Sequence, residues 1–179
     1  LAYGPRLPET LLAIPFYHNK LPSGKKSYSE KLKMPHKRLK GFSRVKRDDI
    51  IVLDADLSAD CGLRPFEKSF PERFIENGIA EQDMVSTAGG LALQGLLPVV
   101  NSFGVFLASR ANEQIYNNAT EKTKIIYVCH YAGLIPAGPG KSHQSVRDIS
   151  LFGALPNCIT IEPANAIETK EALKWCVTE

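Results

Sequence analysis

The chain has 179 residues, 44% of them hydrophobic, with a formal net charge of +3. That is the length of one ordinary domain with enough apolar material for a packed core, which excludes a disordered chain. No run of about 18 apolar residues occurs, so no membrane span is expected, and Leu1-Ala2-Tyr3-Gly4-Pro5 lacks a basic stretch followed by an apolar one, so no secretory signal is expected.

Residues 1–47 are rich in Pro, Lys and Ser. Pro5, Pro8, Pro15, Pro22 and Pro35 interrupt any regular element, and the spacing predicts an extended, wrapping segment with one short helix near Ser27–Lys33. Between His18 and Arg47, eleven Lys/Arg face a single acid, Glu30. From Asp48 onward ten Lys/Arg stand against seventeen Asp/Glu, a net of −7. The basic arm fits an anion- or nucleic-acid-binding segment, or a solvated linker that packs on an acidic neighbour. Few aromatics for base stacking interleave its charges, which favours the linker and argues against nucleic acid as a partner.

From residue 48 the pattern becomes that of a folded domain, expected to run over 48–179. Ile50-Ile51-Val52-Leu53 is a short apolar run of buried-strand type, ending at Asp54-Ala55-Asp56. Arg73-Phe74-Ile75-Glu76 is a second strand, stopped by Asn77-Gly78. Met84, Val85, Ala88, Leu91 and Ala92 recur at helical spacing and predict a helix over 81–94, closed by Gly95. A strand follows over 97–101, then helical spacing over 105–119. A strand over 124–129, a helix over 145–152, a strand over 158–161 and a helix over 166–177 complete the series. Strands that are apolar on both faces and alternate with helices predict an α/β fold of three layers, with a mostly parallel sheet. Cys61, Cys129, Cys158 and Cys176 form no CxxC pair and no zinc spacing. Cys129 and Cys158 read as small buried hydrophobes, and a reduced cytoplasmic compartment is expected.

In parallel sheets ligands gather at the carboxyl ends of the strands. Three clusters fall there. Glu81 stands at a strand-to-helix junction, where it either caps its helix or serves a site. Phe103 and Phe106 flank Gly104 and Val105 at a strand end, either as an aromatic wall for a flat heterocycle or as a core pair. The loop from His130 to His143, rich in Gly and Pro, reads as a long loop over a site. Its Gly138-Pro139-Gly140-Lys141-Ser142 lacks the first glycine of a phosphate-binding loop, since position 135 is Ile135.

Taken together and in order, Phe74 to Met84, Ser102-Phe103…Phe106, Arg110-Ala111…Glu113-Gln114-Ile115, Ser142-His143-Gln144, Asp148-Ile149, Leu155-Pro156-Asn157 and Pro163 to Thr169 resemble the transketolase family of thiamine-diphosphate enzymes, in its central pyrimidine-binding domain. The Gly-Ile-Ala-Glu-Gln stretch at 78–82 is the most specific part. The resemblance implies that Glu81 bonds a ring nitrogen of the cofactor's aminopyrimidine and promotes the imino tautomer that activates the thiazolium carbon. It implies that Phe103 and Phe106 form the wall around that ring, that Asp56 and Ile79 lie near the cofactor, and that His143 faces substrate. It places His130, Tyr131 and Asp60 where the family handles substrate. Here this sequence departs: Pro139 stands where a transketolase has an acid, Tyr131 where it has a histidine, and Asp60 where it has a phosphate-holding serine. Asp60 would repel a phosphate unless Arg64 or Lys141 compensates.

No Gly-Asp-Gly stretch for the diphosphate and its magnesium occurs, no metal ligands are expected in this chain, and the domain's last strand is expected to be missing. The resemblance therefore implies half an active site, completed by a diphosphate-binding domain or subunit in a homo- or hetero-oligomer. The implied reaction is transfer of a two-carbon ketol unit between sugar-like substrates. A decarboxylating relative, of the deoxyxylulose-phosphate synthase or 2-oxoacid dehydrogenase beta type, and a non-catalytic assembly module are the alternatives.

Overall fold

The computed structural model describes residues 12–13, 47–134 and 139–178. Six strands form one parallel sheet: β1 (Leu12–Ala13), β2 (Ile50–Asp54), β3 (Phe74–Glu76), β4 (Leu97–Phe103), β5 (Ile126–His130) and β6 (Ile159–Thr160), in the order β3-β2-β4-β5-β1-β6. Among the described residues six α-helices accompany them: α1 (Arg64–Ser69), α2 (Glu81–Leu93), α3 (Gly104–Ser109), α4 (Asn112–Thr120), α5 (Asp148–Gly153) and α6 (Ala166–Thr178).

Strand periodicity divides the core in two. Val52, Val99 and Val128 point to one face, where Leu63, Phe66, Leu173 and Val177 cover them. Their neighbours Leu53, Val100, Tyr127 and Cys129 point to the other, against Met84, Val85, Leu107, Ile115 and Phe152. Helices α1 and α6 thus lie on one side and α2, α4 and α5 on the other. This is why the strand sequences are apolar throughout rather than alternating. Burying a side chain such as Leu53 or Met84 stabilises the fold by about 1.5–3 kcal/mol.

The register aligns the strand ends. Asp54 pairs with Glu76 on one side and Asn101 on the other, and Phe103 pairs with His130. The polar ends of β2, β3, β4 and β5 therefore lie along one edge. Asp56 and Tyr131, just past two of these ends, adopt φ of 58° and 56°. Aspartate adopts this left-handed region more readily than most residues, whereas a bulky tyrosine there is uncommon and strained.

Several elements differ from the sequence reading. Leu12–Ala13, expected in an extended segment outside the domain, pairs with Ile126–Tyr127 and with Ile159–Thr160 inside the sheet. The short helix expected near Ser27–Lys33 lies outside the described residues. Helix α1 is not evident in the sequence because Pro65 counts as a breaker in a periodicity scan, yet here it occupies the first turn, where its missing N–H costs nothing. The helix expected over 105–119 is two helices. Arg110 N and Ala111 N both donate to Phe106 O, and this turn re-aims α4 so that Ile115 is buried. The helix expected from 145 starts at Asp148, because Ser145 exchanges two backbone hydrogen bonds of 2.8 Å with Gly133. That exchange pins the neck of the 130–143 loop.

Candidate active-site edge

Glu81 is the first residue of α2 and is only 4% exposed. The segment that delivers it is tied down by Glu76, whose Oε1 accepts hydrogen bonds from Gly78 N and from Asp56 N, both at 2.8 Å. Gly78 takes φ +66°, a left-handed turn that suits glycine. The junction is thus set before the helix begins. Glu81 Oε1 accepts a hydrogen bond from Arg110 Nη1 at 2.8 Å, so the buried carboxylate is compensated by a half-exposed guanidinium.

The aromatic cluster forms around the end of β4. Phe103 and Phe106, each 7% exposed, lie nearly parallel with ring centroids 5.6 Å apart. Tyr131 meets Phe103 edge-on at 4.9 Å, and His143 meets Phe106 edge-on at 5.2 Å. Such geometries contribute about 0.5–1.5 kcal/mol per pair beyond burial. The Arg110 guanidinium lies 3.9 Å over the Phe106 ring. Arg110 therefore links the aromatic cluster to Glu81.

Of the residues singled out in the sequence, Glu81, Phe103, Phe106, Tyr131 and His143 come together through direct contacts or through Arg110. His130 is buried at the end of β5, beside Phe103 in the register. Asp56 is exposed in the turn after β2, and Ile79 is 73% exposed directly before Glu81. Asp60 is exposed in the loop before α1, and no hydrogen bond or ion pair among the described residues joins it to the cluster.

Two site features are not evident from the sequence. Arg110 enters there only as part of a resemblance, although its place four residues after Phe106 puts ring and guanidinium on one side of the chain. Asp54 reads there as a strand end, but its side chain is fully buried. Burial pushes its carboxyl up to about 7, against the pull of the Leu57 amide and with a further upward push from Glu76.

A parallel sheet whose carboxyl edge carries a buried acid at a helix start, beside an aromatic wall, defines an α/β domain with a candidate ligand-binding edge. Residues 44–179 match the family described as "Transketolase, pyrimidine binding domain". A putative transketolase C-terminal section from Methanocaldococcus jannaschii is 39% identical over 130 residues, covering 72% of this chain and 41% of that protein. The 1-deoxy-D-xylulose-5-phosphate synthase of Clostridium kluyveri is 33% identical, covering 73% and 21%. Among solved structures, a split-gene transketolase described as an inactive beta4 tetramer aligns with a TM-score of 0.64 and 39% identity, covering 73% of this chain and 42% of that one. The transketolase of Campylobacter jejuni shares the fold at a TM-score of 0.63 and 23% identity.

The chain belongs to the transketolase pyrimidine-binding domain family, within the thiamine-diphosphate-dependent enzymes. It spans less than half the length of these relatives.

Proposed function

We propose that this chain supplies the pyrimidine-binding half of a thiamine-diphosphate-dependent transferase that moves a two-carbon ketol unit between sugar-like substrates. The observation that supports this most directly is the buried Glu81 carboxylate at the edge of the Phe103–Phe106 wall. An aminopyrimidine ring needs a flat apolar surface and a fixed carboxyl at one ring nitrogen, and these residues fit that need. When bound, the cofactor supplies the carbanion chemistry. In this reading Glu81 holds the proton relay at the ring nitrogen, Phe106 and Phe103 orient the ring and exclude water, and Asp56 and Ile79 border the cofactor. His143, edge-on to Phe106, faces substrate together with His130, Tyr131 and Asp60. The diphosphate and magnesium are held by a partner domain or subunit, and the assembly works in the cytoplasm.

The similarity to a deoxyxylulose-phosphate synthase at 33% identity favours a second reading, in which the donor is a 2-oxoacid that loses carbon dioxide. Assays with ketose donors against pyruvate, in the complex purified through this chain, separate the two. Glu81→Ala in that complex is expected to abolish turnover, and unchanged turnover would overturn the catalytic assignment. Calorimetric titration of the chain alone with thiamine diphosphate and magnesium is expected to give no stoichiometric binding.

A further inference from the structure

We infer that Arg110 is the positioning residue for Glu81: it fixes the carboxylate's orientation and couples it to the aromatic wall. This rests on the reading of Glu81 given above. Three observations carry it. Glu81 is 4% exposed, so little water competes for its carboxylate, and the guanidinium beside it compensates the burial. Arg110 Nη1 engages Oε1 at 2.8 Å and leaves Oε2 for a second donor. The guanidinium also lies 3.9 Å over Phe106, a second contact that restricts a half-exposed side chain.

The geometry has a chemical consequence. A donor fixed on Oε1 sets the plane of the carboxylate and leaves Oε2 available to a ring nitrogen. Arg110 keeps helical dihedrals at the end of α3, and its four-residue spacing from Phe106 sets the guanidinium over that ring and beside the start of α2.

The test uses the complex purified through this chain and three variants, Arg110→Ala, Arg110→Lys and Glu81→Ala. Arg110→Ala is expected to lower kcat at least tenfold with substrate KM within twofold, and to weaken thiamine diphosphate binding in calorimetry. Millimolar guanidinium is expected to restore part of the lost kcat, and Arg110→Lys to fall between. A merely structural loss would lower the melting temperature without chemical rescue. In the chain alone, NMR is expected to show slowed exchange of the Arg110 guanidinium protons in the parent and its loss in Glu81→Ala. Three results would overturn the inference: kcat and cofactor affinity of Arg110→Ala within twofold of the parent, tighter cofactor binding, or loss of activity with no rescue. If Glu81→Ala stays active, the underlying reading fails first. If Glu81→Ala is dead and Arg110→Ala is normal, only this inference fails.

Discussion

Asp54→Asn is expected to remove much of the pH dependence of the fold's stability. The Asp54 side chain is fully buried at the end of β2, and Oδ2 accepts a 2.8 Å hydrogen bond from Leu57 N. Burial, reinforced by neighbouring Glu76, raises its carboxyl to about 7, against roughly 3.9 in an unfolded chain. Between these values the folded protein keeps a proton that the unfolded chain has released. The stabilisation is therefore complete below about pH 4 and is lost as pH rises through about 7. The gap between the two values sets a ceiling of roughly 4 kcal/mol on this contribution. Asparagine keeps an oxygen for the Leu57 amide and does not titrate. Urea unfolding of parent and variant should therefore converge near pH 4 and separate toward pH 8, with the variant the more stable there. Curves that fall in parallel across this range would refute the reasoning.

Asn118 Nδ2 donates to Val85 O and to Tyr127 Oη, both at 3.0 Å, inside the packing of α2 on α4. Asn118→Ala leaves a buried phenol and carbonyl without this donor and should cost about 1–3 kcal/mol in urea denaturation. Gly89→Ala would place a Cβ 2.2 Å from Asn118 Oδ1, so it should destabilise too, and the double variant should cost less than the sum of the two. Burial pushes the Cys61 and Cys129 thiols up, and raises Cys158 to about 11 and Cys176 to about 12. All four should react slowly with a disulfide reagent at pH 8 and rapidly in denaturant. The Arg73 guanidinium lies 4.1 Å over Phe70 and donates to Arg47 O at 2.8 Å. Arg73→Met keeps the apolar stem but loses both contacts, and should lower stability by about 1–2 kcal/mol in thermal unfolding.

The strands β2, β4 and β5 are legible in the sequence because a buried parallel strand must be apolar on both faces, and Val99-Val100 or Ile126-Tyr127-Val128 leave no other reading. Helix α2 is legible because Met84, Val85 and Ala88 line one face. Glu81, Phe103 and Phe106 stand out by their placement at strand ends. What stays hidden is whatever depends on contacts between distant residues. The pairing of Arg110 with Glu81 joins residues 29 positions apart. The late start of α5 follows from Ser145 bonding to Gly133 across the loop. Strand β1 is two residues long, too short for any period to show, and its identity is conferred by β5 and β6.

That last feature bears on how the chain reaches its fold. Leu12–Ala13 lies between two strands whose residues come more than a hundred positions later, at Ile126 and Ile159. Made before either of them on the ribosome, it has no place to go until both are complete. Until it docks, β5 and β6 each present an open backbone edge of the kind that recruits a strand from another molecule. Assembly of this domain is thus a race between closure by its own upstream segment and capture by a neighbour, and crowding many copies together favours the neighbour. Contacts so distant in sequence also slow the closing step. Refolding yield should therefore fall as protein concentration rises, even under conditions where the finished domain is stable.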